Sequence, residues 1–164
     1  MTSVPSTCDL CDAHRDDSSG ALRVLPPVFR DYGGRTAFAG RVRTVRCLDD
    51  NTSVKALLES PGDGAVLVVD GGASLRRSLV GGNIAAAAAR HGWAGVLVDG
   101  AVRDAAELAA TPLGLRALAL IPMPTARRRE GDVDVPVTIQ GVTVRPGDWL
   151  VADADGIVVL DREP

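Results

Sequence analysis

The alternation of apolar and polar positions divides the middle of the chain into strand-like and helix-like segments. Residues 39 to 48 alternate with period two from Arg41 onward, as a strand with one buried face does. Residues 52 to 60 read as a helix, opened by Thr52 or Ser53 as cap and closed before Pro61-Gly62. The continuous apolar run Ala65-Val66-Leu67-Val68-Val69-Asp70 predicts a buried strand that Gly71-Gly72 ends. Residues 83 to 91, built around Ala85 to Ala89, predict the next helix, and Gly95-Val96-Leu97-Val98-Asp99-Gly100 the next buried strand. A helix over Asp104 to Ala110 and a strand over Ala117 to Ile121, stopped by Pro122-Met123-Pro124, continue the series.

Repeated strand-helix-strand units call for an α/β core with parallel neighbours, whose strand-end loops are where sites form. A polar connection at Arg127-Arg128-Arg129-Glu130-Gly131-Asp132 reads as a solvated loop. Val133 to Ile139 then alternates again. Gly141 to Val144, Trp149 to Asp153 and Ile157 to Leu160, joined by the turns Pro146-Gly147-Asp148 and Asp155-Gly156, predict a C-terminal antiparallel β meander. With no long linker and no internal repeat, the 164 residues are expected to form one domain.

Composition narrows the function classes. Hydrophobic residues make up 46% but aromatics only 3%, so valine, leucine, isoleucine and alanine must build the core. The net charge of −3 gives no pull toward nucleic acid, which would call for a basic face. Three cysteines, Cys8, Cys11 and Cys47, cannot all pair within the chain, and the N-terminus has no charged region leading into an apolar stretch. A reduced, cytoplasmic setting is expected, and no apolar run reaches membrane-spanning length.

The candidate chemistry centres on one spacing. Gly82 is followed by twenty residues and then by Arg103, Asp104, two alanines and Glu107. Gly81-Gly82-Asn83-Ile84 lies directly before the alanine helix, so its backbone N–H groups would face an incoming anion. Asp104 to Glu107 also fits a capping box, with Asp104 accepting from the helix start and Glu107 reaching back. Capping leaves Arg103 unexplained, because the helix dipole opposes a cation there unless an anion binds. Gly71-Gly72 and Gly81-Gly82 also read as ordinary strand-to-helix turns. Neither matches a dinucleotide fingerprint or a P-loop, so a nucleotide cofactor is not expected. Cys8, Cys11 and His14 lack a second cysteine pair for a structural zinc site, His91 reads as a helix-end residue, and no serine elbow supports hydrolase chemistry.

The chain resembles the regulator of ribonuclease activity A family. The likeness is carried by Leu10-Cys11-Asp12, Phe29-Arg30-Asp31-Tyr32-Gly33-Gly34-Arg35, Thr44-Val45-Arg46-Cys47 and Val68-Val69-Asp70-Gly71-Gly72, and further on by Gly100 to Asp104 and Ala152 to Ile157. It spans about Cys8 to Leu160. The resemblance implies a swivelling β/β/α domain and a homotrimer, sometimes paired into a dimer of trimers. Within the family, the motif Gly82, Arg103, Asp104, Glu107 is similar to that of the 4-hydroxy-4-methyl-2-oxoglutarate aldolases, which also decarboxylate oxaloacetate. It implies that Asp104 binds a divalent metal, Mg²⁺ or Mn²⁺, and that Arg103 binds a small 2-oxoacid substrate. The backbone from Gly81 to Ile84 would hold the pyruvyl carboxylate, and Glu107 would anchor metal-bound waters. The regulator that names the family, which inhibits a ribonuclease, lacks the Asp after the Arg, so Asp104 separates the two readings. A ribonuclease-binding regulator is the alternative. A methyltransferase role has no glycine-rich nucleoside motif behind it. The sequence reads to Pro164 without the acidic C-terminal extension of longer aldolase relatives, and the resemblance leaves catalytic efficiency open, a slow or merely vestigial activity included.

Overall fold

A computed structural model describes residues 3–164. Its elements run α1 (Thr7–Ala13), β1 (Leu22–Val24), β2 (Arg30–Asp31), β3 (Phe38–Arg46), α2 (Thr52–Leu58), β4 (Val66–Val80), α3 (Gly82–Arg90) and β5 (Gly95–Val102). Then follow α4 (Ala105–Ala110), β6 (Gly114–Leu120), β7 (Asp132–Val133), β8 (Val137–Ile139), β9 (Val142–Val144), β10 (Trp149–Ala152) and β11 (Ile157–Leu160). The main sheet has the order β1-β11-β10-β3-β4-β5-β6-β2, with β7 on the free side of β3.

Strand β3 joins two kinds of pairing. Its first half, Phe38 to Arg41, pairs antiparallel with β10, and its second half, Val42 to Arg46, pairs parallel with β4. From there β3, β4, β5 and β6 are mutually parallel, linked by helices as short crossovers demand. All eight residues of β5 are buried, as expected of a strand covered on both faces.

Alternation along the strands divides the core between those faces. Val45, Leu67, Val69, Val96 and Val98 meet Leu58, Ile84, Ala85, Ala88 and Leu108 from the three helices. Val42, Val66, Val68 and Leu97 point the other way, onto Leu150, Ile157, Val159 and the β8–β9 hairpin. Each of these valine, leucine and isoleucine side chains contributes roughly 1.5–3 kcal/mol by leaving water. Phe38 fills the space left by Gly95 and Gly114, where any Cβ would strike its ring.

Four expectations from the sequence need correction. Gly71-Gly72 do not end the third segment: β4 continues to Val80, because bulges between Asp70, Ser74, Ser78 and Val80 keep it paired with β5. Gly72 and Ala73 carry the first bulge at φ +65° and +56°. The cap of α2 is Asn51 rather than Thr52 or Ser53, and the helix-start donors on Thr52 turn to Asp50 Oδ1, at 2.9 Å from the amide and 2.6 Å from Oγ1. Val133 to Ile139 is broken by Asp134 at φ +53° and by Pro136, which has no N–H to give, so β7 and β8 belong to different sheets.

The C-terminal strands also fail to form one continuous meander. β9 pairs only with β8, as a separate two-stranded sheet, while β10 lies between β3 and β11. The turn at Pro146-Gly147-Asp148 is held to β3 instead of folding β10 back on β9: Gly147 N donates to the Val42 carbonyl at 2.9 Å and Val42 N to the Asp148 carbonyl at 2.7 Å. Among the described residues no helix is long and apolar enough to cross a membrane.

Candidate active site

Two adjacent parallel strands end side by side and present two turns to one another. Arg103 N donates to the Val80 carbonyl at 3.0 Å, which places the Gly81-Gly82 turn after β4 against the Arg103-Asp104 turn after β5. This is the carboxyl end of the parallel strands, where open α/β sheets bind ligands.

Asp104 adopts the left-handed region, φ +66° and ψ +51°, and this aims its carboxylate away from its own helix. Oδ2 accepts from Gly82 N at 2.8 Å, across the gap between the two turns. The capping-box reading is therefore corrected. Asp104 starts α4 only through its carbonyl, which accepts from Leu108 N at 2.9 Å, and its side chain makes no bond to that helix. Glu107 does not reach back to Asp104. Its carboxylate lies against the Cα of Gly82, where an added Cβ would collide with Oε2, and a Cβ on Gly81 would stand 2.8 Å from Asp104 Oδ2. The glycine pair is needed because two carboxylates occupy the space side chains would fill.

Helix α3 starts at this point. Its first internal bond runs from Ala85 N to the Gly81 carbonyl at 3.0 Å, so the amides of Asn83 and Ile84 have no acceptor within the helix. Arg103 is held by the Pro122 carbonyl, 3.3 Å from Nη1, with Nε 4.0 Å from Asp104 Oδ2. Its side chain is a little over one-third exposed, which leaves the guanidinium accessible.

Gly81, Gly82, Asn83, Ile84, Arg103 and Asp104 line one cleft of about 350 Å³, open solvent included, with Glu107 behind Gly82. All seven residues singled out by spacing are thus brought together. Asn51, Ser78, Pro124 and Arg127 also line this cleft and were not foreseen. Buried Asn51 ties these residues to the strand end: Nδ2 donates to the Leu79 carbonyl at 3.0 Å, and Oδ1 accepts from Thr125 Oγ1 at 2.6 Å and Arg127 Nε at 3.2 Å.

The arginine run is consequently not a merely solvated loop. Asp50 Oδ2 accepts the backbone amides of Arg128 and Arg129 at 2.7 and 3.0 Å. Burial alone would raise the Asp50 carboxyl, but the bonds from Thr52, Arg128 and Arg129 outweigh it and hold the group below the usual carboxylate range. The available signal was positional: a cation run shortly after a parallel strand lies at the end of the sheet where sites form.

The donor set suits a hard divalent cation. Asp104 keeps Oδ1 without a protein donor among the described residues, and Glu107 places a second carboxylate beside the same glycine turn. No group of three or more His, Cys, Asp or Glu capable of holding a metal occurs among the described residues. A cation here would rest on one or two carboxylates and take its other ligands from water and substrate, as Mg²⁺ commonly does. Elsewhere, Cys8 and Cys11 lie on α1, His14 Nδ1 sits 2.8 Å from the Leu10 carbonyl at that helix end, and His91 Nδ1 is 2.7 Å from the Ala87 carbonyl at the end of α3. Burial, with Asp70, Asp50 and Asp49 nearby, pushes the Cys47 thiol up to about 12.

A family model described as RraA-like, Aldolase/RraA, matches residues 7–159. The chain belongs to the RraA-like family. A relative from Albidiferax ferrireducens, named "Putative 4-hydroxy-4-methyl-2-oxoglutarate aldolase", is 62% identical over 97% of this chain and 96% of its own. Among solved structures, the RNA-processing inhibitor RraA from Thermus thermophilis superposes with a TM-score of 0.92 at 49% identity, over 100% of this chain and 96% of that one. A Geobacillus kaustophilus structure titled S-adenosylmethionine: 2-dimethylmenaquinone methyltransferase gives 0.90 at 40% identity, over 97% and 96%. The RraA-like α/β fold read from the sequence is therefore the fold of this chain, while three differently titled proteins on one scaffold return the question of function to the site.

Proposed function

We propose that this RraA-like protein is a divalent-metal-dependent lyase. It cleaves 4-hydroxy-4-methyl-2-oxoglutarate, or a related 4-hydroxy-2-oxoacid, to pyruvate, and decarboxylates oxaloacetate in the same cleft. The observation that carries this reading is the convergence of Arg103, the Asp104 and Glu107 carboxylates and the open amides of α3 on one turn pair. The names of relatives such as the A. ferrireducens protein support it.

Asp104 would hold the cation, Mg²⁺ or Mn²⁺, with Glu107 fixing water beside it. When bound, the metal supplies Lewis-acid polarisation of the pyruvyl oxygens. Arg103 places a fixed positive charge where the pyruvyl half gains electrons as the C3–C4 bond breaks, and the amides of Asn83 and Ile84 orient its carboxylate. Glu107 positions the water that takes the C4 hydroxyl proton, and C3 of the retained pyruvyl half gains a proton from solvent. In oxaloacetate the same electron flow releases CO₂. Assembly as a homotrimer belongs to this proposal, and light scattering should give three times the 17.0 kDa chain mass.

The test is pyruvate release from both substrates, coupled to lactate dehydrogenase, with Mg²⁺ and then with EDTA. Release that EDTA stops and added Mg²⁺ or Mn²⁺ restores is expected; no release from either substrate refutes the lyase. The whole-chain match to the Thermus RNA-processing inhibitor favours a second reading, a non-enzymatic regulator that binds a ribonuclease. That reading predicts inhibition of RNA cleavage by a protein that releases no pyruvate.

A further inference from the structure

Strand β6 carries a charge into the apolar layer. Leu115 and Ala117 face the helices, so Arg116 between them turns to the opposite face, where its guanidinium carbon stands 6.0 Å from the centre of the Phe38 ring. The side chain is only 7% exposed, and two hydrogen bonds fix it: Nη2 donates to the carbonyls of Thr36 and Asp153, each at 2.8 Å. Its charge is poorly matched. Among the described residues the one carboxylate within 4.0 Å is Asp31, with Oδ1 3.9 Å from Nε, and Nε itself is buried without a hydrogen-bond partner. Nη1 lacks a partner too, but the protein does not seal it off as it seals Nε. A cation this buried and this weakly paired favours an anion beside it.

Arg116 lines a cavity of about 530 Å³, open solvent included, whose walls Leu25, Pro26, Phe29 and Ile157 are apolar. Leu25 N donates to the Ile157 carbonyl at 3.0 Å and Val28 N to the Pro26 carbonyl at 2.8 Å, so bonds of its own hold the backbone that carries these walls. Gly156 leaves room on its side, since a Cβ there would meet no atom within 4 Å. Asp155 is the other charged residue of the lining. Its carboxylate lies near Cys8, whose thiol it pushes up, and it forms no ion pair with Arg116 among the described residues. Arg116 is in register with Leu97 of β5, six residues before Arg103, which sets it roughly 15–20 Å from the lyase cleft along the strands.

We propose that this cavity is a second binding site, for a small monocarboxylate with an apolar body. The carboxylate bonds Arg116 Nη1, and the hydrocarbon part lies against Leu25, Phe29 and Ile157. One cation calls for one negative charge, and wall side chains without donors or acceptors call for hydrocarbon. The two carbonyls that hold Nη2 fix the guanidinium before binding, so little side-chain freedom is lost. This site goes beyond the lyase reading and does not depend on it.

NMR titration of the full chain with hexanoate, acetate and the neutral hexanamide, followed through backbone amide shifts, tests it. Hexanoate should move the amides of Phe29, Gly156 and Ile157 saturably and bind about 10- to 100-fold more tightly than hexanamide, the range of one charge-assisted contact. It should also bind at least about tenfold more tightly than acetate, which has no chain to bury. Arg116→Gln, which keeps an N–H for the Thr36 or Asp153 carbonyl without the charge, should bind hexanoate no better than hexanamide, and Arg116→Lys should retain part of the preference. The wild-type comparison of hexanoate with hexanamide decides the charge requirement even where Arg116→Gln does not fold. A hexanoate affinity no better than that of hexanamide or of acetate overturns the assignment. A preference that survives in folded Arg116→Gln, the absence of any saturable shift, or shifts centred on Gly82 to Ile84 overturns it equally.

Discussion

Replacing Asp104 separates what its backbone, its hydrogen bond and its charge each contribute. The residue stands at φ +66°, where a side chain other than Asn or Asp costs roughly 1–2 kcal/mol. Its carboxylate also accepts the Gly82 amide at 2.8 Å, a contact to the first turn of α3 that is worth about 1 kcal/mol once the 40% exposure of the side chain is allowed for. Asp104→Ala loses both and should cost about 2–3 kcal/mol. Asp104→Gly loses the bond but relieves the strain, and should fall within about 1 kcal/mol of wild type. Asp104→Asn keeps an acceptor oxygen and tolerates the left-handed region, so it too should stay within about 1 kcal/mol.

Urea unfolding followed by circular dichroism, at one protein concentration, gives the order directly, and the alanine variant should melt roughly 4–12 °C below wild type. All three variants should lose metal-dependent pyruvate release to the same extent, because each lacks the anionic carboxylate. Alanine as stable as glycine would refute the backbone reasoning. An asparagine variant with wild-type activity would refute the metal role.

Other perturbations follow from the same geometry. Gly82→Ala should keep the fold but lose pyruvate release, since its Cβ displaces the flexible Glu107 side chain rather than backbone; unchanged kinetics would count against Glu107. Gly95→Ala drives a Cβ into the Phe38 ring inside the core and should cost about 1–3 kcal/mol or more in urea unfolding. Asp99 is buried, which with Asp70 nearby raises its carboxyl pKa, while Gln140 Nε2 donates to Oδ1 at 2.8 Å. A raised folded-state pKa makes the folded protein hold the proton longer, so stability should fall as pH rises from about 4 through the folded value. Asp99→Asn, still an acceptor for Gln140, should be more stable than wild type at pH 7 and lose that slope. Asp50 has the opposite sign. Its lowered pKa stabilises the fold above about pH 4 and that contribution is lost as pH falls through the folded value, so Asp50→Ala should destabilise at pH 7 and expose the loop at 125–131 to protease.

The legible part of this protein was the part governed by local pattern. Val66 to Val69 and Gly95 to Val98 declared themselves buried strands because neither face has a polar position, and Ala85 to Ala89 declared a helix. The spacing from Gly82 to Glu107 could be read because one crossover, α3 plus β5, sets the distance between two neighbouring strand ends. Elements whose ends depend on long-range partners were misread. Gly71-Gly72 resembles a stop, yet pairing with β5 carries β4 nine residues beyond Gly71. Val142 to Val144 resembles the first strand of a meander, yet β3 takes the edge of β10 that β9 would have needed.

At the site the same division holds. Sequence alone determined the α/β class, the glycine turn at a helix start and the presence of a cation and two carboxylates at fixed spacing, since each is a matter of residue type and near neighbours. Only the tertiary structure decided that Asp104 serves another helix than its own, and that Asn51 and Arg127, 76 positions apart, bond to each other and line the same cleft. A left-handed backbone angle and a hydrogen bond between distant loops leave no local period in the sequence; they exist only once β4 and β5 lie side by side.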